Sequence, residues 1–299
     1  MTYFYLLAGE NLELAEAELQ GFLKTRNIDN SDRNGRLAYT EQHPDRLRRL
    51  AMTHEVIREI DPEKFRPNGS YAVRAENLTE NEFNKEEIES DIGERISGLT
   101  NEVDLENPDT VVKVYNTEER LVIGKVVEDI NRGLFMERSN EKRPFSSPIS
   151  MDPILARVLV NLSEVSAGES VLDPFCGTGG VLIEAGLCGT VPKGLDIQEK
   201  MVSGTQKNLE NYGILNHDIK QGDISEVDDI FDGYDVIITD LPYGKASQEE
   251  NEAVDKFLEL IEDFDGKTVF MYNEDSLEDY EADFEVYIHK SLTRYIFVQ

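Results

Sequence analysis

A chain of 299 residues, 39% hydrophobic and 30% charged, is long enough for two packed domains, and its composition excludes a disordered, collagenous or disulfide-rich secreted class. Its 61 acidic against 30 basic side chains leave a net charge of −31, a balance that ordinarily argues against nucleic acid, whose phosphates call for lysine and arginine. The acids run along the whole chain, which fits a proteome-wide adaptation to concentrated salt, where at about 1 M the Debye length is about 3 Å and contact chemistry outweighs long-range repulsion.

Residues 3–7 read as a strand, and Leu12, Leu14, Ala15, Leu19, Phe22 and Leu23 as the apolar face of a helix of about four turns. A short strand over 36–39 and a helix over about 44–59, carrying Arg46, Arg48, Arg49 and Arg58, complete a small α+β unit. From Ser70 there follow a strand over 71–75, a helix over 85–98 and strands over 110–116 and 120–127, the last two joined by a hairpin turn at 116–119. Residues 137–150, ERSNEKRPFSSPIS, hold two prolines, four serines and no apolar period, so the domain boundary falls there.

Beyond it helices and strands alternate. A helix over 153–162 precedes strands ending at Asp173, Asp196, Asp223 and Asp240, with helices over 180–188, 198–212 and 249–264 and a strand over 268–272. The closing runs, 284–289 and 294–298, are too near each other for anything but antiparallel pairing. This is the α/β pattern of a doubly wound parallel sheet ending in an antiparallel hairpin. Cys176, Cys188 and four scattered histidines form no CxxC or HExxH, so no metal is expected. No basic segment precedes the first apolar run and no stretch of 18 apolar residues occurs, so the expected location is cytoplasmic.

The chemistry gathers at the strand ends. In SVLDPFCGTGG, residues 170–180, an acid closes an apolar strand and glycines open a helix whose N-terminus offers free N–H donors. A dinucleotide fingerprint would need glycine at 182, where Leu182 stands; an acid before the glycines suits a ligand carrying an ammonium group instead. Asp196 is placed to accept ribose hydroxyls and Asp223 to meet an adenine amine, although either alone could be a helix cap. Together they outline an amino group, a ribose and an adenine without phosphates. In TDLPYG, residues 239–244, the Asp240 carboxylate and the Leu241 carbonyl can accept both hydrogens of one planar NH₂ group. Tyr243 offers a ring for a stacked base, and Pro242 biases residue 241 toward an extended conformation.

These motifs resemble those of class I methyltransferases that use S-adenosylmethionine and methylate exocyclic amines through an Asp-Pro-Pro-Tyr motif. The resemblance implies that Asp173, Cys176, Gly177 and Gly179 hold the methionine part, Asp196 the ribose and Asp223 the adenine, with Pro174, Ile197 and Ile224 beside the cofactor. Asp240, Leu241, Pro242 and Tyr243 map onto the catalytic motif, Leu241 standing where that family most often has proline, with some loss of rigidity.

Over nearly the whole chain, RPFSSPISMDPILARVLVNLSEV, DPFCGTGGVLIEAGL, TDLPYG, LAGENLELAEAEL and RLRRLAMTHEV are similar to the archaeal tRNA guanine-N2 methyltransferases acting at position 10. The resemblance implies a ferredoxin-like domain over 1–65, a THUMP RNA-binding domain over 66–140 and a Rossmann-like methyltransferase domain with a seven-stranded sheet over 141–299. It implies one or two methyl transfers to a guanine flipped out of its stem, with tRNA as partner; the sequence leaves the oligomeric state open, a monomer being favoured, and no membrane attachment is expected. Candidate RNA contacts are Arg46, Arg48, Arg49, Arg132, Arg138, Lys142 and Arg143, while Phe145 covers the cofactor or lies in a domain interface. Two other readings stay open: an amino methyltransferase acting on another tRNA guanine, ribosomal RNA, DNA adenine or a protein glutamine, and an RNA-binding protein with an inactive methyltransferase domain.

Overall fold

The computed structural model describes residues 1–28, 31–97, 102–148, 150–242, 248–289 and 292–299, apart from the side chains of residues 97, 248–250 and 289. The chain forms two compact units, one of Met1–Glu16, Ile28–Arg48 and Met52–Asn131, the other of Ala17–Asn27, Arg49–Ala51 and Arg132–Gln299.

The first unit contains β1 (Tyr3–Leu7), the start of α1 (Leu12–Lys24), β2 (Asp32–Asn34), β3 (Leu37–Thr40), β4 (Thr53–Glu59), β5 (Tyr71–Asn77), α2 (Lys85–Ser97), β6 (Thr110–Asn116) and β7 (Leu121–Asp129). Its strands make one sheet in the order β2-β3-β1-β4-β7-β6-β5, antiparallel except where β5 lies parallel to β6. Every residue of β1 is buried, and Ile92 and Ile96, one helical turn apart on α2, pack on Tyr71, Val73 and Ala75.

The expected helix over 44–59 is absent. Leu47–Arg49 makes a single 3₁₀ turn, and Thr53–Glu59 is strand β4, paired with β1 on one side and β7 on the other. Thr53, Val56 and Ile57 are β-branched and buried, so two ladders and a packed pleat outweigh the helix-like spacing of the apolar residues.

The second unit opens its sheet-and-helix alternation with α3 (Pro153–Leu162), whose first turn holds a proline and is capped by the Asp152 carboxylate, which accepts from Ile154 and Leu155 N–H. There follow β8 (Ser170–Asp173), α4 (Gly180–Leu187), β9 (Val191–Asp196), α5 (Glu199–Asn211), β10 (Asp218–Gln221), α6 (Val227–Ile230), β11 (Val236–Asp240), α7 (Gln248–Glu262) and β12 (Lys267–Tyr272). A small ribbon of β13 (Ser276–Leu277) and β14 (Tyr280–Glu281) leads to β15 (Phe284–His289) and β16 (Leu292–Val298). The sheet order is β10-β9-β8-β11-β12-β16-β15, parallel from β10 to β12, with β16 antiparallel to both its neighbours. The doubly wound sheet and its terminal hairpin are therefore as the sequence predicts. Strand order reverses between β8 and β11, and at such a point a crevice opens outside the carboxyl ends of the strands.

Two local features differ from expectation. Strand β10 stops at Gln221, and Asp223 caps the 3₁₀ turn Ile224–Glu226 in a reciprocal capping box with Glu226. The boundary segment over 137–150 is tied to the second unit. Asn140 bonds both main-chain groups of Ser147, while the Asn208 side chain bonds the N–H and the carbonyl of Phe145, each at 2.9 Å. The Phe145 ring lies against Gly204 of α5, where a Cβ would collide with it, so it is packed on a helix of the second unit.

Glu184 of α4, fully buried, receives Arg138 through Nε at 2.6 Å and Nη2 at 3.0 Å, and Arg157 through Nη2 at 2.7 Å. Removing the acid strands two guanidinium groups, one of them deep in the core. Glu184→Ala is expected to lose about 3–5 kcal/mol of stability, read as a lowered denaturant midpoint at unchanged slope; a midpoint within error of wild type would refute the assignment.

Among the described residues no helix is long and apolar enough to cross a membrane, and no group of three or more His, Cys, Asp or Glu side chains could hold a metal ion.

Candidate active site

One cavity of about 760 Å³ opens at the carboxyl ends of β8, β9 and β11. The strand register sets its depth. Asp173 pairs with Gly194 on β9, and Leu172 with Ile237 on β11, so Asp196 and Asp240 each extend two residues beyond the level of Asp173. Asp173 is the floor, and the other two acids stand on opposite rims.

Asp173 is only 3% exposed. Its Oδ1 accepts from Thr239 Oγ1 at 2.7 Å and from Phe175 N at 3.2 Å, and Oδ2 has no hydrogen bond among the described residues. Burial pushes its carboxyl up to about 7 against the bonds from Thr239 and Phe175. After it the chain turns through Gly177 (φ +50°) and Gly179 (φ +78°), backbone that favours glycine. At 179 a Cβ would also lie 2.7 Å from Thr205 Cγ2. Cys176 is buried against Leu195, whose carbonyl accepts its N–H at 2.9 Å, and burial pushes its thiol up.

Asp196 is fixed by two backbone donors, Gly177 N at 3.0 Å and Gln198 N at 2.8 Å, and burial raises its carboxyl despite them. The Asp223 Oδ1 takes Lys256 Nζ and Ser225 Oγ, each at 2.7 Å, and Ser225 N at 3.0 Å. Lys256 above all holds the Asp223 carboxyl down at about 2, and Oδ2 has no hydrogen bond among the described residues.

At the turn that follows β11, Asp240 is half-buried and paired through Oδ1 with Arg294 Nη2. Leu241 is 0% exposed and belongs to the core that contains Phe257, Phe270 and Phe297. Its N–H donates to Met271 O at 3.0 Å, a bond that proline could not make. Packing and that bond anchor the position in place of a pyrrolidine ring. Pro242 lines the cavity; Tyr243 lies outside the described residues.

The structure thus brings Asp173, Pro174, Cys176, Gly177, Asp196, Ile197, Asp223, Ile224, Asp240, Leu241 and Pro242 around one cavity, with Gly179 in the turn behind it. Residues that the sequence did not point to complete the wall: Ser147 and Ser150 from the boundary segment, Met151 just after it, and Glu252, Ala253 and Lys256 from α7.

The RNA-contact set is corrected at three positions. Arg49 is buried, donating to Asn161 Oδ1 at 2.6 Å and Val165 O at 2.8 Å. Arg138 is committed to Glu184. Arg143 is buried beside the start of α4, donating to Ser150 Oγ at 2.9 Å and to Arg138 O at 2.8 Å. Their charges are used inside the protein. Arg46, Arg48 and Lys142 are exposed, Arg48 pairing with Glu128 at 2.8 Å. Arg132 is partly buried and donates to Ala51 O at 2.8 Å.

A parallel sheet with a reversed penultimate strand, a glycine turn after the first strand-end acid and a second acid turn on β11 define a class I methyltransferase. The crystal structure of TrmN from Thermus thermophilus has this fold, with a TM-score of 0.56 at 18% identity over 100% of this chain and 99% of that one. Residues 140–275 match the RMKL-like methyltransferase domain and residues 52–125 the THUMP domain. The chain is 36% identical over 278 residues to the tRNA (guanine(10)-N2)-dimethyltransferase of Methanothermobacter thermautotrophicus, covering 86% of this chain and 82% of that one. It is 34% identical to the protein of the same description in Methanocaldococcus jannaschii, over 98% of each. The chain belongs to the tRNA (guanine(10)-N2)-dimethyltransferase family.

Proposed function

We propose that this protein transfers methyl groups from S-adenosylmethionine to the exocyclic N2 of guanosine 10 in tRNA, mono- and then dimethylating it. The observation that carries the reading is the set of acids around one cavity: a buried floor, two rims and an outer acid, with no cluster of basic groups for phosphate among the described residues that line it.

The cavity suits the cofactor by its donor and acceptor set. The open Oδ2 of Asp173 can accept from an ammonium group, Asp196 from ribose hydroxyls and Oδ2 of Asp223 from an adenine amine, while the turn at Gly177 and Gly179 lets a ligand approach the backbone. When bound, the cofactor supplies a sulfonium methyl group for in-line displacement by an amine. The chain's own part is to present that amine. Oδ2 of Asp240 and the carbonyl of Leu241 each accept one N2 hydrogen, turning the nitrogen lone pair out of conjugation. A guanine paired in a stem can reach them only after leaving the stack, and Tyr243 supplies the ring on which it rests.

Residues 1–65 and 66–140 are assigned to holding the tRNA and 141–299 to transfer, with Arg46, Arg48, Arg132 and Lys142 as the remaining RNA contacts. The activity is assigned to the cytoplasm, where a tRNA substrate is available. The test is incubation with labelled cofactor and a tRNA transcript at high KCl, followed by nucleoside mapping by mass spectrometry. N2-methylguanosine and then N2,N2-dimethylguanosine are expected at position 10; label in another nucleoside, or none in the RNA, would overturn the reading.

A further inference from the structure

Arg294 is another residue at the site that no motif in the sequence marks. It lies near the start of β16, and its guanidinium reaches Oδ1 of Asp240 on β11 with β12 lying between the two strands. The register explains the reach. Asp240 is level with Met271 on β12, which is level with Ile296 on β16, so Arg294 stands two residues beyond that level, on the side toward which β11 ends. The antiparallel strand therefore brings a cation to the rim where the parallel strands bring acids. Arg294 is 2% exposed, and a guanidinium that deep is costly unless a partner holds it.

We propose that Arg294 is a positioning residue for methyl transfer: by occupying Oδ1 it fixes the rotation of the Asp240 carboxylate and leaves Oδ2 as the acceptor for the target amine. This rests on the role given to Asp240 above. In the transfer the nitrogen lone pair forms the N–C bond while the S–C bond breaks and its electrons stay on sulfur. The methylated nitrogen then loses its proton to water, because a carboxylate paired with a guanidinium is a poor proton acceptor.

The geometry separates aspartate from asparagine at this position. In Asp240→Asn, with Arg294 present, the new amide must turn its oxygen to the guanidinium and aim its NH₂, a donor, at the NH₂ of the substrate. Adding Arg294→Gln removes that constraint, since the glutamine oxygen can accept from the asparagine NH₂ and leave the asparagine oxygen for the amine.

The test uses the full chain with tRNA transcript. Arg294→Met is expected to lower kcat about 10- to 100-fold with KM for tRNA and Kd for the cofactor within about twofold of wild type. Asp240→Asn is expected to be about 1,000-fold down, and the double variant Asp240→Asn with Arg294→Gln to recover at least about tenfold over Asp240→Asn. That double variant buries no unpaired charge, so it carries the test if Arg294→Met does not fold. Wild-type kcat in Arg294→Met, or a double variant no better than Asp240→Asn, would overturn the role of Arg294 alone. Full activity in Asp240→Asn itself would overturn the role of Asp240.

Discussion

Asp240→Ala is expected to lower the single-turnover rate about a thousandfold and leave cofactor affinity within about threefold of wild type. The carboxylate lies on the rim of β11, two residues beyond Asp173, and every donor that fixes the acids proposed to hold the cofactor comes from elsewhere: Thr239 and Phe175 for Asp173, Gly177 and Gln198 for Asp196, Lys256 and Ser225 for Asp223. Its loss takes away one of two acceptors that orient the amine, so the nitrogen lone pair returns to conjugation with the base. Asp196→Ala should give the opposite pattern, with cofactor affinity down about 10- to 100-fold and the rate at saturation largely kept. Calorimetric titration of the cofactor and single-turnover transfer separate the two. Near-normal turnover in Asp240→Ala would refute the acceptor role.

The contrast follows what the sequence could reveal. Asp173 and Asp240 are legible because each closes an apolar run that a buried parallel strand requires, Asp196 because it closes the next strand, VPKGLD, and the sheet then carries all three to one edge. Asp223 is legible as a residue and misplaced as an element: Lys220, Gln221 and Gly222 give no apolar signal, and the strand ends two residues early. The 44–59 stretch fails for a related reason. Its apolar residues fit a helical face, and only pairing with β1 and β7 decides for strand.

Arginines mislead in a different way. Arg46, Arg48 and Arg49 look alike in sequence, yet Arg49 is buried on Asn161, 112 positions away, and no local pattern reports that. Arg294 and Lys256 are hidden likewise, since their partners lie 54 and 33 positions off. What the chain states locally is where strands end; which cation meets which acid is stated only by the fold.

Cofactor affinity is expected to fall about tenfold between pH 8 and pH 6 and about tenfold per unit below that, with close to one proton released on binding at pH 6. The cause is Asp173. Burial raises its carboxyl from 3.8 to about 7, so the unliganded protein holds a proton there that an ammonium ligand must displace. The same group sets a stability slope. Between pH 4 and 7 the folded state binds a proton that the unfolded chain has released, so unliganded stability falls as pH rises through that window, at up to about 1.4 kcal/mol per unit, and the cofactor restores it. Asp173→Asn tests both at once. Its amide oxygen can still accept from Thr239 and Phe175, but its NH₂ faces the cavity where an acceptor is needed. The variant should be more thermostable than unliganded wild type at pH 8, lose the slope between pH 5 and 8, and gain almost no thermal shift from the cofactor. A wild-type cofactor shift in Asp173→Asn, or an affinity flat from pH 8 to pH 6, would show that the floor of the cavity does not receive the ammonium group.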